Sequence, residues 1–168
     1  MGELIDSMLK LSQVSRTEIK PVMVDLYEMA EKVSKRLQEA HPDRQFLFTI
    51  QPGLVAHGDA KMLEIILTNL MDNACKFTGK MPLTKIELGI VGIGHKKAYF
   101  IKDNGAGFNI ATAKNLFGAF QRMHKQSEFP GTGIGLATAQ RILRLHKGII
   151  WADASINQGA TFYFTIPK

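Results

Sequence analysis

The stretch from Ala60 to Phe77, AKMLEIILTNLMDNACKF, limits the fold more than any other part of this chain. Its residues Leu63, Ile66, Leu67, Leu70 and Ala74 recur at helical spacing and make one apolar stripe on an α-helix. Asp59 stands where an N-cap is wanted, with a side-chain oxygen to accept from the first free N–H groups. Such a stripe has to be covered by a second layer. The adjoining sector, at about 100° per residue, carries Asn69, Asp72, Asn73 and Lys76. Two mid-helix asparagines are an odd choice for a solvent face, where Glu, Lys and Arg form helix better. Periodicity leaves two readings open. One is the wet edge of an amphipathic helix. The other is an edge offering hard amide and carboxylate oxygens suited to Mg2+ and an amine suited to phosphate.

The rest of the chain supplies the second layer. Pro21 to Val24 read as a short extended piece, and Asp25 caps a helix from Leu26 to about Ala40, ended by His41-Pro42-Asp43. Phe46, Phe48 and Ile50 alternate with other residues, which predicts a strand over Gln45 to Ile50; Leu54 to Ala56 is a second, short one. Leu83 to Val91 and Lys97 to Lys102 read as strands joined by a hairpin loop at Gly92 to Lys96. Asn109 caps a short helix to about Leu116, and a loop-like segment follows from Phe117 to Thr132. A helix from Ile134 to about His146 is stopped by Gly148. Ile149 to Asp153 and Thr161 to Ile166 are strands that turn at Asn157-Gln158-Gly159. The expected fold is α+β, a two-layer sandwich with helices on one face of a mixed, mostly antiparallel sheet.

Composition narrows the function. The chain has 168 residues, about one domain. Its single cysteine, Cys75, rules out a disulfide framework, fits a reducing compartment, and falls in a helical pattern where packing is the expected role. No apolar run approaches the roughly 18 residues of a membrane span, and the start lacks the basic flank of a signal peptide. The net charge of +6 suits a polyanionic partner, either nucleic acid or a nucleotide. Basic residues are scattered, with one local cluster at Arg122, His124 and Lys125, and no interleaving with aromatics argues for a nucleic-acid surface.

Two further motifs carry chemistry. KDNGAGF, Lys102 to Phe108, places Asp103 at a strand end with Gly105 and Gly107 beyond it. A carboxylate beside bare backbone can accept from an amino group such as adenine's; Asn-Gly also marks hairpin turns, although no alternating strand follows. GTGIGLATAQ, Gly131 to Gln140, is a glycine turn entering a helix, and helix N-termini favour anions. The dinucleotide fingerprint fails because Leu136 stands at the third glycine and no strand precedes; the P-loop fails because no Gly-Lys-Ser or Gly-Lys-Thr exists.

The order of these motifs, over about Val24 to Pro167, resembles the catalytic ATP-binding domain of sensor histidine kinases. These belong to the ATPase superfamily of the Bergerat fold, shared with gyrase, the ninety-kilodalton chaperones and MutL repair proteins. NLMDNACKFT resembles the family's N box, DNGAGF its first glycine box, LFGAFQRMH its phenylalanine box, GTGIGLA its second glycine box and QGATFYFTIP its last box. The wording of EFPGTGIGLATAQRI is closest to phytochrome-like and PAS-linked kinases. LIDSMLKLSQVSRTEIK resembles the second helix of the dimerisation and phosphoacceptor hairpin, so residues 1–19 are expected to be its remnant and residues 20–168 the catalytic domain.

That resemblance implies Mg-ATP, with Asn73 at the magnesium and Asn69 beside it, Lys76 and Arg122 at the phosphates, and Asp103 reading adenine supported by Thr161. Gly105 and Gly107 keep side chains clear, and Phe117 and Phe120 belong to the site. Gly131, Thr132, Gly133 and Gly135 form the ATP lid, with Leu136 anchoring the helix behind it. The implied reaction passes the γ-phosphoryl group to a histidine on a separate helix. None of the five histidines fits the acceptor, and His57 and His146 are expected at the surface or in turns. Implied partners are the dimerisation domain of the same kinase and a response-regulator receiver domain, in a cytoplasmic, homodimeric parent. Nucleic acid and membrane contact are not expected. Two rivals stay open: a nucleotide-holding regulatory module of the anti-sigma type, and a superfamily ATP hydrolase. The latter wants a Glu base four residues before Asn73, where this chain has Asn69.

Overall fold

The computed structural model describes residues 18–112, 116–117 and 135–167, together with Ile5, Leu9, Ser12 and Gln13, which are helical. In chain order the elements are β1 (Pro21–Asp25), α1 (Leu26–Ala40), β2 (Phe46–Ile50), β3 (Val55–Asp59), α2 (Ala60–Phe77), β4 (Thr84–Ile93), β5 (Lys96–Asp103), a 3-10 turn (Ile110–Thr112), α3 (Gly135–Leu145), β6 (Ile150–Ala154) and β7 (Ala160–Phe164). Five strands form one sheet in the order β2-β4-β5-β7-β6. Among the described residues only β2 and β4 pair in parallel; the other neighbours are antiparallel. β1 and β3 form a separate two-stranded antiparallel sheet.

Local chemistry sets the helix limits. Asp25 Oδ1 accepts from Glu28 N at 2.9 Å and Asp59 Oδ1 from Met62 N at 3.1 Å, so both predicted N-caps act as caps. The helices cover one face of the five-stranded sheet. Leu63, Ile66, Leu67, Leu70 and Met71 of α2 and Ile142 and Leu143 of α3 are buried with Ile86, Leu88, Ile101, Phe162 and Phe164 of the sheet. Burying each such side chain contributes about 1.5–3 kcal/mol, which makes this layer the core. The opposite face carries a partly exposed aromatic row in which Trp151 and Tyr163 stack at 5.4 Å.

Three expectations need correction. The β4–β5 hairpin is longer than predicted, with Ile93 paired to Lys96, because Gly94 takes φ +62° and closes a tight turn. The helix after Asn109 is only the 3-10 turn within the described residues, with Asn109 Oδ1 accepting from Ala111 N at 3.0 Å. At the end of α3 the left-handed residue is Lys147, at φ +62°, and not Gly148. Gly148 donates to Leu143 O at 2.7 Å and has no room for a side chain, since a Cβ would stand 1.9 Å from Thr165 O.

Candidate functional site

The polar sector of α2 divides in two. Asp72 turns to α1, where Arg36 Nη2 lies 3.8 Å from its Oδ1. Asn69, Asn73 and Phe77 are spaced four apart and so share a stripe. At one end of it Asn69 Nδ2 donates to Gly135 O, the first residue of α3, at 3.2 Å. At the other end Phe77 O accepts from Ala106 N at 2.9 Å. The stripe therefore runs from the first residue of α3 to the turn after Asp103, about 12 Å at the α-helical rise. Asn73 lies between the two ends. The side chains of Asn73 and Lys76 are half-buried and make no hydrogen bond or ion pair among the described residues.

Asp103 ends β5 and is 4% exposed. Burial pushes its pKa up to about 6, while the backbone N–H groups of Gly105 and Ala160 pull the other way; Gly105 N donates to Oδ1 at 2.8 Å. No cation pairs with it among the described residues. The glycines that follow are required by neighbouring backbone. A Cβ on Gly105 would stand 2.2 Å from Phe77 O, and one on Gly107, at φ +63°, 2.0 Å from Ser155 O. Gly159, at φ +81°, leaves 2.1 Å to Asp103 O. These glycines let α2, the Asp103 turn and the β6–β7 turn close on one another.

Thr161 is not on Asp103's side of the sheet. It pairs with Lys102 and Asp153, whereas Ala160 is the partner of Asp103, and side chains alternate across a strand. The side chain facing Asp103 is therefore the methyl of Ala160. Phe117 packs edge-on against Phe162, ring centroids 6.3 Å apart, with Leu116 buried beside it. Leu136 is partly buried against the core. Phe120, Arg122, Gly131, Thr132 and Gly133 lie outside the described residues.

His146 lies in the turn after α3, one of the two places expected for it, but not at the surface. It is buried, its Nε2 accepts from Asp59 N at 3.0 Å, and its Nδ1 lies 2.8 Å from Ile142 O. The helical stripe Ala139, Ile142, Leu143, His146 was the signal for its burial. His57 is exposed, as expected. Cys75 is buried, with its thiol pKa raised by burial and partly restored by Arg44, whose Nη1 donates to Sγ at 3.1 Å.

Among the described residues no group of three or more His, Cys, Asp or Glu could hold a metal ion. A protein cage is thus absent from this part of the chain. A Mg2+ ion that keeps its waters and phosphate oxygens needs only one or two protein ligands, and the Asn73 amide oxygen fits that demand.

Residues 58–168 match the family described as histidine kinase-, DNA gyrase B-, and HSP90-like ATPase, and the chain belongs to that family. Its relatives include cyanobacterial phytochrome A of Nostoc sp. (strain PCC 7120), 30% identical over 99% of this chain and 22% of the relative. The adaptive-response sensory kinase SasA of Thermosynechococcus vestitus is 30% identical over 99% of this chain and 45% of its own length. The chain thus spans less than half of these relatives. Among solved structures, the mycobacterial sensor histidine kinase MprB superposes with a TM-score of 0.70 at 25% identity, covering 88% of this chain and 97% of that one. Full-length ShkA in complex with AMPPNP shares the fold, with a TM-score of 0.75 at 22% identity over 96% of this chain and 34% of that one.

Proposed function

We propose that the chain binds Mg-ATP and donates its γ-phosphoryl group to a histidine nitrogen on a separate helix. The observation that carries this reading is Asp103. A buried carboxylate held only by backbone N–H groups has acceptor capacity left over, and an adenine amino group is a donor of the right kind. The stripe from Gly105 through Asn73 to Gly135 then follows the ligand from base to phosphates. Asn73 holds the metal, and Lys76 with Arg122 neutralises the phosphates. Gly131, Thr132, Gly133 and Gly135 close the lid with their backbone, and Leu136 anchors it. Bound magnesium supplies charge stabilisation on the phosphate oxygens. The protein's part is positioning and electrostatics. The accepting nitrogen forms the new N–P bond, the bond to the β-phosphate bridging oxygen breaks, and ADP leaves.

In this reading residues 1–19 are the end of a dimerisation hairpin and residues 20–168 the catalytic domain. The parent is a cytoplasmic homodimer that passes its phosphoryl group to a receiver domain. The hydrolase alternative is disfavoured by Asn69, an amide that cannot act as base and that already donates to Gly135 O. A regulatory binding module makes the same nucleotide contacts without transfer.

Calorimetry with Mg-ADP on wild type and Asp103→Asn tests the nucleotide reading; affinity should fall by about tenfold or more, and equal affinities reject the adenine assignment. In the same titration Asn73→Ala should lose its dependence on magnesium. Labelled ATP incubated with a histidine-bearing hairpin domain from a matched parent decides the reaction. Label on the hairpin is expected; nucleotide binding without transfer favours the regulatory module.

A further inference from the structure

α3 is tied to the α2 segment at both of its ends. Asn69 meets Gly135 O at the start of α3, and Asp59 N donates to His146 Nε2 just past its end. The surroundings determine the tautomer of His146. A backbone N–H can only donate to Nε2, and the Ile142 carbonyl can only accept, so Nδ1 carries the proton. Gly58 closes over the ring: a Cβ there would lie 3.0 Å from Cδ2 and Nε2. Asp59 extends the junction, with Oδ1 on Met62 N and Oδ2 accepting from Lys20 N at 3.0 Å. Burial works to raise the Asp59 carboxyl, but the N–H groups of Lys20, Met62 and Lys61 outweigh it and hold the pKa below its usual value. Four chain segments meet here: the stretch entering β1, the end of β3, the start of α2 and the end of α3.

The two ties are matched in length. Asn69 is ten residues after Asp59 and Gly135 eleven before His146, roughly 15 and 16 Å of helix. Ala139, Ile142 and Leu143 fill the space between. The helices therefore lie antiparallel, and neither slides nor rolls on the other without breaking a tie.

We infer that His146 is a positioning residue for nucleotide binding: by tying the end of α3 to Asp59, it sets where Gly135, the first residue of α3, stands against Asn69 and the stripe that carries Asn73. The inference rests on the nucleotide reading above and assigns a role to a side chain remote from the ligand.

The test is a Mg-ADP titration of wild type, His146→Gln, His146→Asn and His146→Leu, each below its own unfolding temperature. A glutamine carries an acceptor out to the Asp59 N–H. An asparagine reaches only the Ile142 carbonyl, and a leucine neither. His146→Gln should stay within about twofold of wild type, while His146→Asn and His146→Leu weaken by about tenfold, near the lower end of usual coupling between sites. Folded variants that all bind like wild type overturn the inference. So does an equal loss in all three, or an asparagine variant that rescues, because the ring's volume or the Ile142 contact would then be what matters. Should the leucine variant not fold, hydrogen exchange of the Asp59 amide in wild type decides: Mg-ADP should slow it, and unchanged exchange overturns the inference. If wild type binds no Mg-ADP, the nucleotide reading itself has failed and this one falls with it.

Discussion

Asp103 is held where the fold works against its own charge. Its pKa rises from 3.8 to about 6, chiefly through burial. An acid raised on folding contributes stability that is fully present below the unfolded value and is lost as pH climbs through the folded one. Between about pH 4 and pH 6 the free protein should therefore lose roughly 2–3 kcal/mol relative to Asp103→Asn, which has no such titration. Urea unfolding of both proteins from pH 4.5 to 7.5 measures the difference; a constant gap across that range contradicts it. Nucleotide affinity should move the opposite way, rising in wild type through about pH 6 as the better acceptor forms, and staying flatter in the variant. The carboxylate, its strand and the glycines beyond it were legible in the chain because they are local. The face of Thr161 was not, since it depends on pairing with β5 and β6. His146 was partly legible: its place on the stripe with Ile142 predicts burial, but its partner lies 87 positions away.

Among the elements, glycines separate what the fold needs from what it does not. Gly107 has a left-handed φ and a Cβ position overlapping Ser155 O, so Gly107→Ala should cost more than about 3 kcal/mol. Gly94 has a similar φ but open space around it, so Gly94→Ala should cost only about 1 kcal/mol. Gly135 has no such need. A Cβ there would be 3.7 Å from Asn69, an ordinary contact, at the first residue of α3. Gly135→Ala should leave stability unchanged or raise it by about 0.5–1 kcal/mol. Midpoints of urea unfolding rank the three variants. If Gly135→Ala also binds Mg-ADP as wild type does, the lid role given to this glycine is lost. The same contrast explains what the chain disclosed about its elements. Asp25 and Asp59 announce α1 and α2 because a cap acts within one turn. The end of α3 was legible to within a residue, but the left-handed turn expected of Gly148 is taken by Lys147, while Gly148 answers to Thr165.

At the level of the whole molecule, the parallel β2–β4 pair and the separate β1–β3 sheet join segments whose order in the chain says nothing of their pairing. Long-range contacts likewise bring the Asp103 turn and Gly135 to the stripe of α2 that carries Asn73: Ala106 N donates to Phe77 O and Asn69 Nδ2 to Gly135 O. A ligand on that stripe must touch segments far apart in sequence, and so should stabilise the fold as a unit. At a hundred times its dissociation constant, Mg-ADP should add about 2.7 kcal/mol. For a chain of this size that raises the unfolding temperature by roughly 5–11 °C. Hydrogen exchange measured alongside locates the effect. Protection beyond the global shift should appear at Asn69 to Phe77, at Asp103 to Phe108 and at the first turn of α3. β1 should gain only the global increment, since its strand partner is β3 and its Val22 and Met23 are exposed. Extra protection confined to β1 and β3, or a thermal shift that survives Asp103→Asn undiminished, would place the nucleotide elsewhere on the molecule.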